Sequence, residues 1–355
     1  METKAVECSP REKSALTGGL KVVAIGGGTG LSTLLKGLKR FVPAPGELSP
    51  SNVVTPVIRD LCAVVTVSDD GGSSGRLRKE LKMLPPGDIR NCIVALSEDE
   101  ALLSRLFRHR FDKGSGLEGH NFGNLFLAAL TSLTSDFSEA VRLSSEILLT
   151  RGHIYPATTS NIELEALMED GTRVRGETKI TASKGRIKEL FVVPPDVGPM
   201  PQTLEAIANA DLITIGPGSL FTSLIPNLLV RGIPQAILES RATKVYICNL
   251  MTQANESLGL TAADHIRALN AHAQGQIFDY ALINRTPVSD ELKTKYASEG
   301  ACQIVNDLDD IEAMGVIPVL GDYLEEAGVA RHNFTRAAQD VLQLAVQGRI
   351  GERNS

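Results

Sequence analysis

The hydrophobic positions of this 355-residue chain form short continuous runs that alternate with stretches of helical spacing. The mainly apolar runs are rich in β-branched residues, as buried parallel strands are. They predict strands at 22–25, 61–67, 211–215, 235–238, 245–248, 278–283 and 316–319. Apolar positions three and four residues apart predict helices from the first strand to about residue 41, and at 101–107, 125–133, 137–149, 261–271 and 334–346. Strands that alternate with helices predict an α/β fold, a Rossmann-like three-layer α/β/α arrangement with a mostly parallel sheet and a helical insertion.

The same pattern divides the chain into five segments. Residues 1–19 are polar and predict a disordered extension, and the strand signal is missing between 75 and 151, which predicts the helical insertion. The complete prediction is an extension at 1–19, a first part of the core at 20–74, the insertion at 75–151, a hairpin with the rest of the core at 152–346, and a tail at 347–355. The hairpin is expected between 174 and 193, where Gly185 and Arg186 separate two alternating runs. Four prolines between 42 and 60 predict a surface insertion or an irregular crossover.

Composition then narrows the class of protein. A 43% hydrophobic share is enough for a large core, while a net charge of −6 and 4% aromatic residues argue against nucleic acid as the main partner. The five cysteines are scattered and form no CxxC motif, so we expect a reducing cytoplasmic location without a disulfide framework or zinc site. The N-terminal segment has no apolar core of the secretory type, which agrees with that expectation.

One uncharged stretch, 212–230, approaches the length of a membrane span. It contains Gly216, Pro217, Gly218 and Pro226, which break a helix in its interior. The stretch therefore predicts a strand, a loop and a helix, and no membrane span.

The strand at 22–25 leads into a glycine-rich loop and then a helix. Its glycines allow backbone N–H groups to approach a ligand, and a helix N-terminus attracts anions, so Gly27, Gly28, Thr29 and Gly30 are candidate phosphate ligands. The spacing completes neither the dinucleotide fingerprint nor a Walker A motif. A tight structural turn is the alternative interpretation.

Two more polar loops follow strands, at 68–75 and 216–223, and loops of this kind gather at one edge of a parallel sheet. In the first of these loops, Asp69 and Asp70 can accept hydrogen bonds from a ribose or hold Mg²⁺, and either one is a candidate metal ligand. An Asx-turn or a helix cap is the alternative. The other candidate binding residues of the two loops are Gly71, Gly72, Ser73, Gly216, Pro217, Gly218, Ser219 and Thr222.

The helical insertion and the later strands offer further polar groups. Asn121 and Asn124 lie one helical turn apart, and their amides can recognise a base or a sugar. Helix capping is the alternative for Asn121. We also consider Asp88, Arg90, Asn249 and Thr252 as candidate binding residues. No catalytic residue is assigned from the sequence.

These motifs together resemble the bacterial gluconeogenesis factor family (YvcK-like), which is similar to the 2-phospho-lactate transferases of the CofD-like superfamily. The resemblance rests on the segments 23–32, 65–78, 85–91, 119–124 and 215–226, and it extends from about residue 20 to 346. It implies a cytoplasmic regulatory protein that binds UDP-sugars such as UDP-N-acetylglucosamine and supports cell shape and cell-wall growth on gluconeogenic carbon sources. It also implies that residues 27–30, 69–71, 121, 124 and 216–219 line the nucleotide crevice. A nucleotide sugar, cell-wall or morphogenesis proteins and a second copy of the chain are the expected partners.

The chain departs from the family pattern in two places. Thr-Gln-Ala-Asn-Glu-Ser at 252–257 replaces the expected Thr-Gln-Pro-Gly-Glu-Thr, and Asn255 can still adopt the positive φ of the turn. The proline-rich insertion is the second departure. The alternative function is a Mg-dependent transferase of the 2-phospho-lactate type, with Asp69 or Asp70 on the metal. A nicotinamide dinucleotide is a weaker ligand candidate because the fingerprint is incomplete.

Overall fold

The computed structural model describes residues 19–43, 58–97, 102–183, 185–254 and 256–352. The expected extension, most of the proline-rich insertion, the end of the tail and Asn255 lie outside the described residues. Within them, no helix has the length and apolar character that crossing a membrane requires. Four of the cysteines are described, and all four are free thiols.

A parallel sheet of seven strands forms the centre of the molecule, in the order β10-β9-β8-β7-β1-β2-β3. Its strands are β1 (Leu20–Gly26), β2 (Ile58–Val65), β3 (His153–Pro156), β7 (Leu212–Ile215), β8 (Thr243–Ile247), β9 (Tyr280–Asn284) and β10 (Ile317–Gly321). Strand β1 lies between β2 and β7, with Ala24 paired to Ala63 on one side and to Thr214 on the other. Its apolar side chains are therefore buried, as the continuous hydrophobic run predicts.

Helices cover both faces of this sheet, which gives the predicted three-layer α/β/α fold. In chain order they are α1 (Gly28–Lys39), α2 (Gly72–Leu81), α3 (Gly87–Leu96), α4 (Leu102–Arg108), α5 (Phe122–Thr134), α6 (Phe137–Ile147), α7 (Glu177–Ala182), α8 (Pro201–Ala208), α9 (Ile225–Leu228), α10 (Ile233–Glu239), α11 (Ala262–Ala273), α12 (Asp290–Ala297), α13 (Leu308–Ala313) and α14 (Phe334–Glu352). A single π-turn, Leu220–Leu224, precedes α9. Helix α1 packs against both α3 and α14.

The predicted helical insertion consists of α2 to α6, between β2 and β3. Next comes a small antiparallel sheet of β4 (Glu163–Met168), β5 (Arg173–Arg175) and β6 (Ile187–Val193), and a further hairpin joins β11 (Leu324–Glu326) to β12 (Ala330–His332). The expected hairpin across Gly185 is wrong in its pairing. Strands β5 and β6 each pair with β4, and helix α7 separates them.

The strand predicted at 235–238 is also wrong, because these residues belong to helix α10. Pro234 stands in the first turn of this helix, and Ile233 and Ile237, four residues apart, are its buried positions. A short apolar run cannot by itself separate a strand from one buried helix face.

Candidate functional site

The strand order changes direction between β1 and β7, and the loops after both strands meet at that point. Ligands of open α/β sheets bind at such a topological switch point. The two loops are in direct contact, since a Cβ atom at Gly30 would lie 2.2 Å from the carbonyl oxygen of Pro217. Asn227 also joins them, because its side-chain amide donates to the carbonyl oxygens of Gly26 and Ser223. We call the space bordered by residues 26–30 and 216–223 the crevice.

A carboxylate of the protein already occupies part of the first loop. The backbone N–H of Gly28 donates to Asp88, whose side chain comes from the first turn of α3. A Cβ at Gly27 would lie 2.9 Å from Asp88 Oδ2, so glycine is required for this approach. Burial raises the pKa of Asp88 to about 6, and Asp69 adds to the effect, while the Gly28 hydrogen bond and Arg90 oppose it.

Asp69 and Asp70 lie between β2 and α2 but face different neighbours. Asp69 Oδ1 accepts from the N–H of Gly71 at 2.8 Å, the Asx-turn anticipated as the alternative, and its Oδ2 faces Gly87 in the site. Asp70 instead accepts from the N–H and the hydroxyl of Thr178, at 2.9 and 2.5 Å. Asp69 therefore lies toward the crevice, whereas Asp70 connects the core to α7.

Ser73 is the centre of a buried polar network with the helical insertion. Its hydroxyl accepts from Asn124 Nδ2 at 3.2 Å and from the N–H of Asn121 at 3.3 Å, and it contacts His120 Nδ1 at 2.9 Å. The side chain of Asn121 caps α5 by accepting from the N–H of Gly123. Asn124 Oδ1 is buried and has no hydrogen-bond partner among the described residues. A ligand group that donates a hydrogen bond can satisfy it.

In the loop after β7, a carboxylate of the protein occupies two of the amides that the expected anion cradle would offer. Glu256 Oε1 accepts from the N–H groups of Phe221 and Thr222, at 2.7 and 3.0 Å. Burial raises the pKa of Glu256, and these hydrogen bonds oppose the shift. Two further residues of the loop are also paired. Asn249 bonds the N–H and the carbonyl oxygen of Gly218, and Gln253 Nε2 donates to the hydroxyl of Ser219.

Thr252 is turned away from this arrangement. Its hydroxyl accepts from the N–H of Cys302 at 2.9 Å, and its own N–H donates to the Cys302 carbonyl oxygen. The residue is 3% exposed, so it supports the wall of the site from behind.

Sequence reasoning missed two carboxylates at the site, Glu256 and Glu177 of α7. Glu177 Oε2 accepts from the hydroxyl of Ser68 at 3.1 Å, and burial together with Asp69 and Asp88 holds the pKa of Glu177 well above the usual range. In the described part of the chain, no group of three or more histidines, cysteines or carboxylates is arranged to hold a metal ion. Glu256 stands inside the segment that departs from the family pattern, which is the one signal the sequence offered for it.

Comparisons with known proteins agree with this architecture. The family model of 2-phospho-L-lactate transferase CofD matches residues 22–324. The gluconeogenesis factor of Halalkalibacterium halodurans is 49% identical over 324 residues, which cover 91% of this chain and 95% of that protein. The gluconeogenesis factor of Bacillus subtilis is 47% identical over 326 residues, which cover 91% of this chain and 98% of the relative.

A comparison with a crystal structure shows that the similarity extends to the fold. A protein from Bacillus halodurans superposes with a TM-score of 0.85 at 48% identity, over 91% of this chain and 99% of its own. The chain therefore belongs to the gluconeogenesis factor family, which is related to the CofD transferases.

Proposed function

We propose that this member of the gluconeogenesis factor family is a regulatory protein that binds a UDP-sugar in the crevice. The observation that carries the proposal is the meeting of two glycine-rich loops at the switch point. Nucleotides bind at this position in doubly wound sheets. In a cytoplasmic protein of this kind, ligand binding would report the supply of cell-wall precursors during growth on gluconeogenic carbon sources.

Individual residues have distinct roles in the proposal. Asn124 Oδ1, buried and unpartnered in the described structure, accepts from the sugar or the base. The carboxylate of Asp69 accepts from a ribose hydroxyl, the interaction that acidic residues make in many nucleotide sites. Asn249 and Gln253 fix the second loop and contact the ligand indirectly, through the geometry of Gly218 and Ser219.

A thermal-shift titration tests the proposal. UDP-N-acetylglucosamine should raise the melting temperature, because a ligand that binds only the folded state stabilises it by about 2.7 kcal/mol at a hundredfold excess over Kd. GDP and NAD serve as comparison ligands, each with and without Mg²⁺. The proposal fails if no UDP-sugar raises the melting temperature at millimolar concentration.

A pair of matched variants tests whether the UDP-sugar binds in the crevice. Asp69→Asn retains the oxygen that accepts from Gly71 but removes the charge, so we expect weaker UDP-sugar binding, by about tenfold, with an unchanged fold. Asp196→Asn makes the same change at an exposed aspartate and should bind as the unaltered protein does. Equal affinities for the two variants would remove Asp69 from the site.

The match to the CofD family favours a second candidate, a Mg-dependent transfer of a phosphorus-containing group. Mg²⁺ is commonly held by one or two carboxylates together with the phosphates of the substrate, so the absence of a three-ligand cluster among the described residues fits a metal that arrives with its ligand. Asp69 is the better candidate ligand, because Thr178 already engages Asp70. When bound, the metal would neutralise charge on the transferring phosphoryl group. Product formation from a phospholactate-type donor, abolished by EDTA, would favour this function over the regulatory one.

A further inference from the structure

A cavity of about 220 Å³ opens beside the crevice, between α1, α3 and the segment from α4 to α5. Four of its lining side chains are cationic, those of Lys36, Arg90, Arg108 and Arg110, and none of its lining residues is acidic. In a protein with a net charge of −6, such a concentration of positive charge is a local feature and not a property of the whole surface. We call it the cationic cavity.

Arg90 is the best-positioned cation of this cavity. Its Nη2 donates to Asn91 Oδ1 at 2.6 Å, while Nη1 is buried and has no hydrogen-bond partner among the described residues. Its aliphatic part is confined by α5, since a Cβ at Gly123 would lie 2.9 Å from Arg90 Cγ and Cδ. A fixed guanidinium nitrogen without a partner is costly unless an acceptor binds to it.

The positive charges of Arg90 and Arg110 repel each other. Burial lowers the pKa of Arg90, Arg110 lowers it further, and Asp88 and Asp69 oppose the shift. Arg110 is held in place because its Nη1 donates to the carbonyl oxygen of Gly119 at 2.7 Å. A bound anion with more than one negative charge would relieve this repulsion, and the planar fork of arginine suits phosphate oxygens.

The glycine-rich loops, by contrast, have several of their amides already engaged by carboxylates of the protein. The N–H of Gly28 is engaged by Asp88, and those of Phe221 and Thr222 are engaged by Glu256. The carboxylate of Asp69, which acts on Asp88 beside the first loop, would also repel a phosphate. The acidic crevice and the cationic cavity are adjacent, because Asp88 and Arg90 share the first turn of α3.

We propose that the cationic cavity, and not the glycine-rich loops, binds the diphosphate of the nucleotide sugar, with Arg90 and Arg108 as its principal ligands. The inference rests on the proposed function and specifies the orientation in which the ligand binds. The sugar or the base then extends toward Asn124 and Asp69, where neutral hydroxyl and amide groups can donate to the free oxygens. Asn121, which lines the cavity and caps α5, also donates its N–H to Ser73, the partner of Asn124.

Isothermal titration calorimetry with inorganic pyrophosphate, UDP-N-acetylglucosamine and uridine tests the inference. Arg108 is exposed, so Arg108→Gln should fold normally, and we expect it to weaken binding of pyrophosphate and of the UDP-sugar about tenfold or more, the loss of one charge-assisted contact. Arg105→Gln is the matched control, because Arg105 is exposed on the same helix but does not line the cavity. Arg90→Lys keeps the charge without the fork and should also weaken both ligands. Uridine, which has no phosphate, should be insensitive to these substitutions.

The possible results separate the inference from the proposed function. If the protein binds the UDP-sugar and the Arg90 and Arg108 variants bind it equally well, the inference is wrong while the proposed function stands. If pyrophosphate binds and is lost in those variants but no UDP-sugar binds, the anion site is supported and the proposed function fails. If the unaltered protein binds neither ligand, both are overturned. Circular dichroism and melting temperature establish that each variant is folded.

Discussion

The sequence suggests the backbone amides of two loops as ligands of a phosphate. In the structure, two carboxylates of the protein itself accept hydrogen bonds from amides of these loops. Asp88 accepts from Gly28 and Glu256 from Phe221 and Thr222, so each internal anion caps a helix start. The sequence showed the glycines, because loop chemistry is local. It did not show the partners, because each carboxylate reaches its amides from another part of the chain and only folding brings them together.

At the scale of one residue, the raised pKa of Asp88 predicts how the free energy of unfolding depends on pH. Its pKa of about 6 in the folded state lies above the ordinary value of 3.8, so the folded state binds more protons between these values and stability falls as pH rises from about 4 to 6. Asp88→Asn removes this charge but keeps an oxygen for Gly28. Its free energy of unfolding relative to the unaltered protein should therefore increase by on the order of 2 kcal/mol between pH 4 and pH 7.

Urea unfolding at several pH values measures this difference. Asp196→Asn, the same substitution at an exposed aspartate, is the control for the substitution itself. Parallel profiles for the Asp88→Asn variant and the unaltered protein would contradict the prediction.

Among the elements, six of the seven strands of the central sheet were predicted from the sequence, whereas the short edge strand β3 was missed. Continuous apolar runs at β1, β2, β7 and β8 have no other common explanation when turn residues follow them. The four-residue run in α10 was misassigned, because one buried helix face and a short buried strand can give the same pattern of apolar residues. Strand β4 was missed although its exposure alternates, and without it the pairing of β5 and β6 could not be deduced.

The contact between the two crevice loops also gives a prediction at this scale. Gly30→Ala places a Cβ 2.2 Å from the Pro217 carbonyl oxygen, a backbone atom that cannot rotate away, so the loops must separate. We expect a loss of stability of about 1–3 kcal/mol and weaker ligand binding. Gly198→Ala is the control, because nothing lies within 4 Å of its added Cβ. Chemical unfolding and the thermal-shift titration measure the two effects, and a Gly30→Ala variant that behaves like the control would refute the close contact.

On the scale of the whole molecule, hydrogen bonds of Asp211 connect the C-terminal helix α14 to the central sheet. Arg349 Nε donates to Asp211 Oδ1 at 2.9 Å, and Asp211 Oδ2 accepts from the N–H of Lys21 at 2.7 Å. The Arg349 and Asp211 side chains are only 19% and 21% exposed. This single carboxylate therefore connects α14, β1 and the beginning of β7.

Asp211→Ala should consequently lower the free energy of unfolding by about 2–4 kcal/mol, because it removes the acceptor of Lys21 and a partner of a largely buried arginine. Asp290→Ala also removes one half of an ion pair, that with Lys293, but its side chain is 97% exposed, so solvent screens the pair and the loss should be much smaller. Urea unfolding of both variants measures the contrast. Similar losses would show that Asp211 contributes no more to the free energy of unfolding than the exposed ion pair does.

The central position of β1 has a consequence for how the chain is made. Its first partner, β2, follows soon after it, whereas its second partner, β7, is synthesised only after the helical insertion and the small antiparallel sheet. Until then Val22 to Ile25 present one row of unpaired backbone groups at an apolar edge, a surface prone to association with other chains. A ribosome-bound chain of this protein should therefore need chaperone protection until residue 215 has emerged, and a product truncated before that point should aggregate.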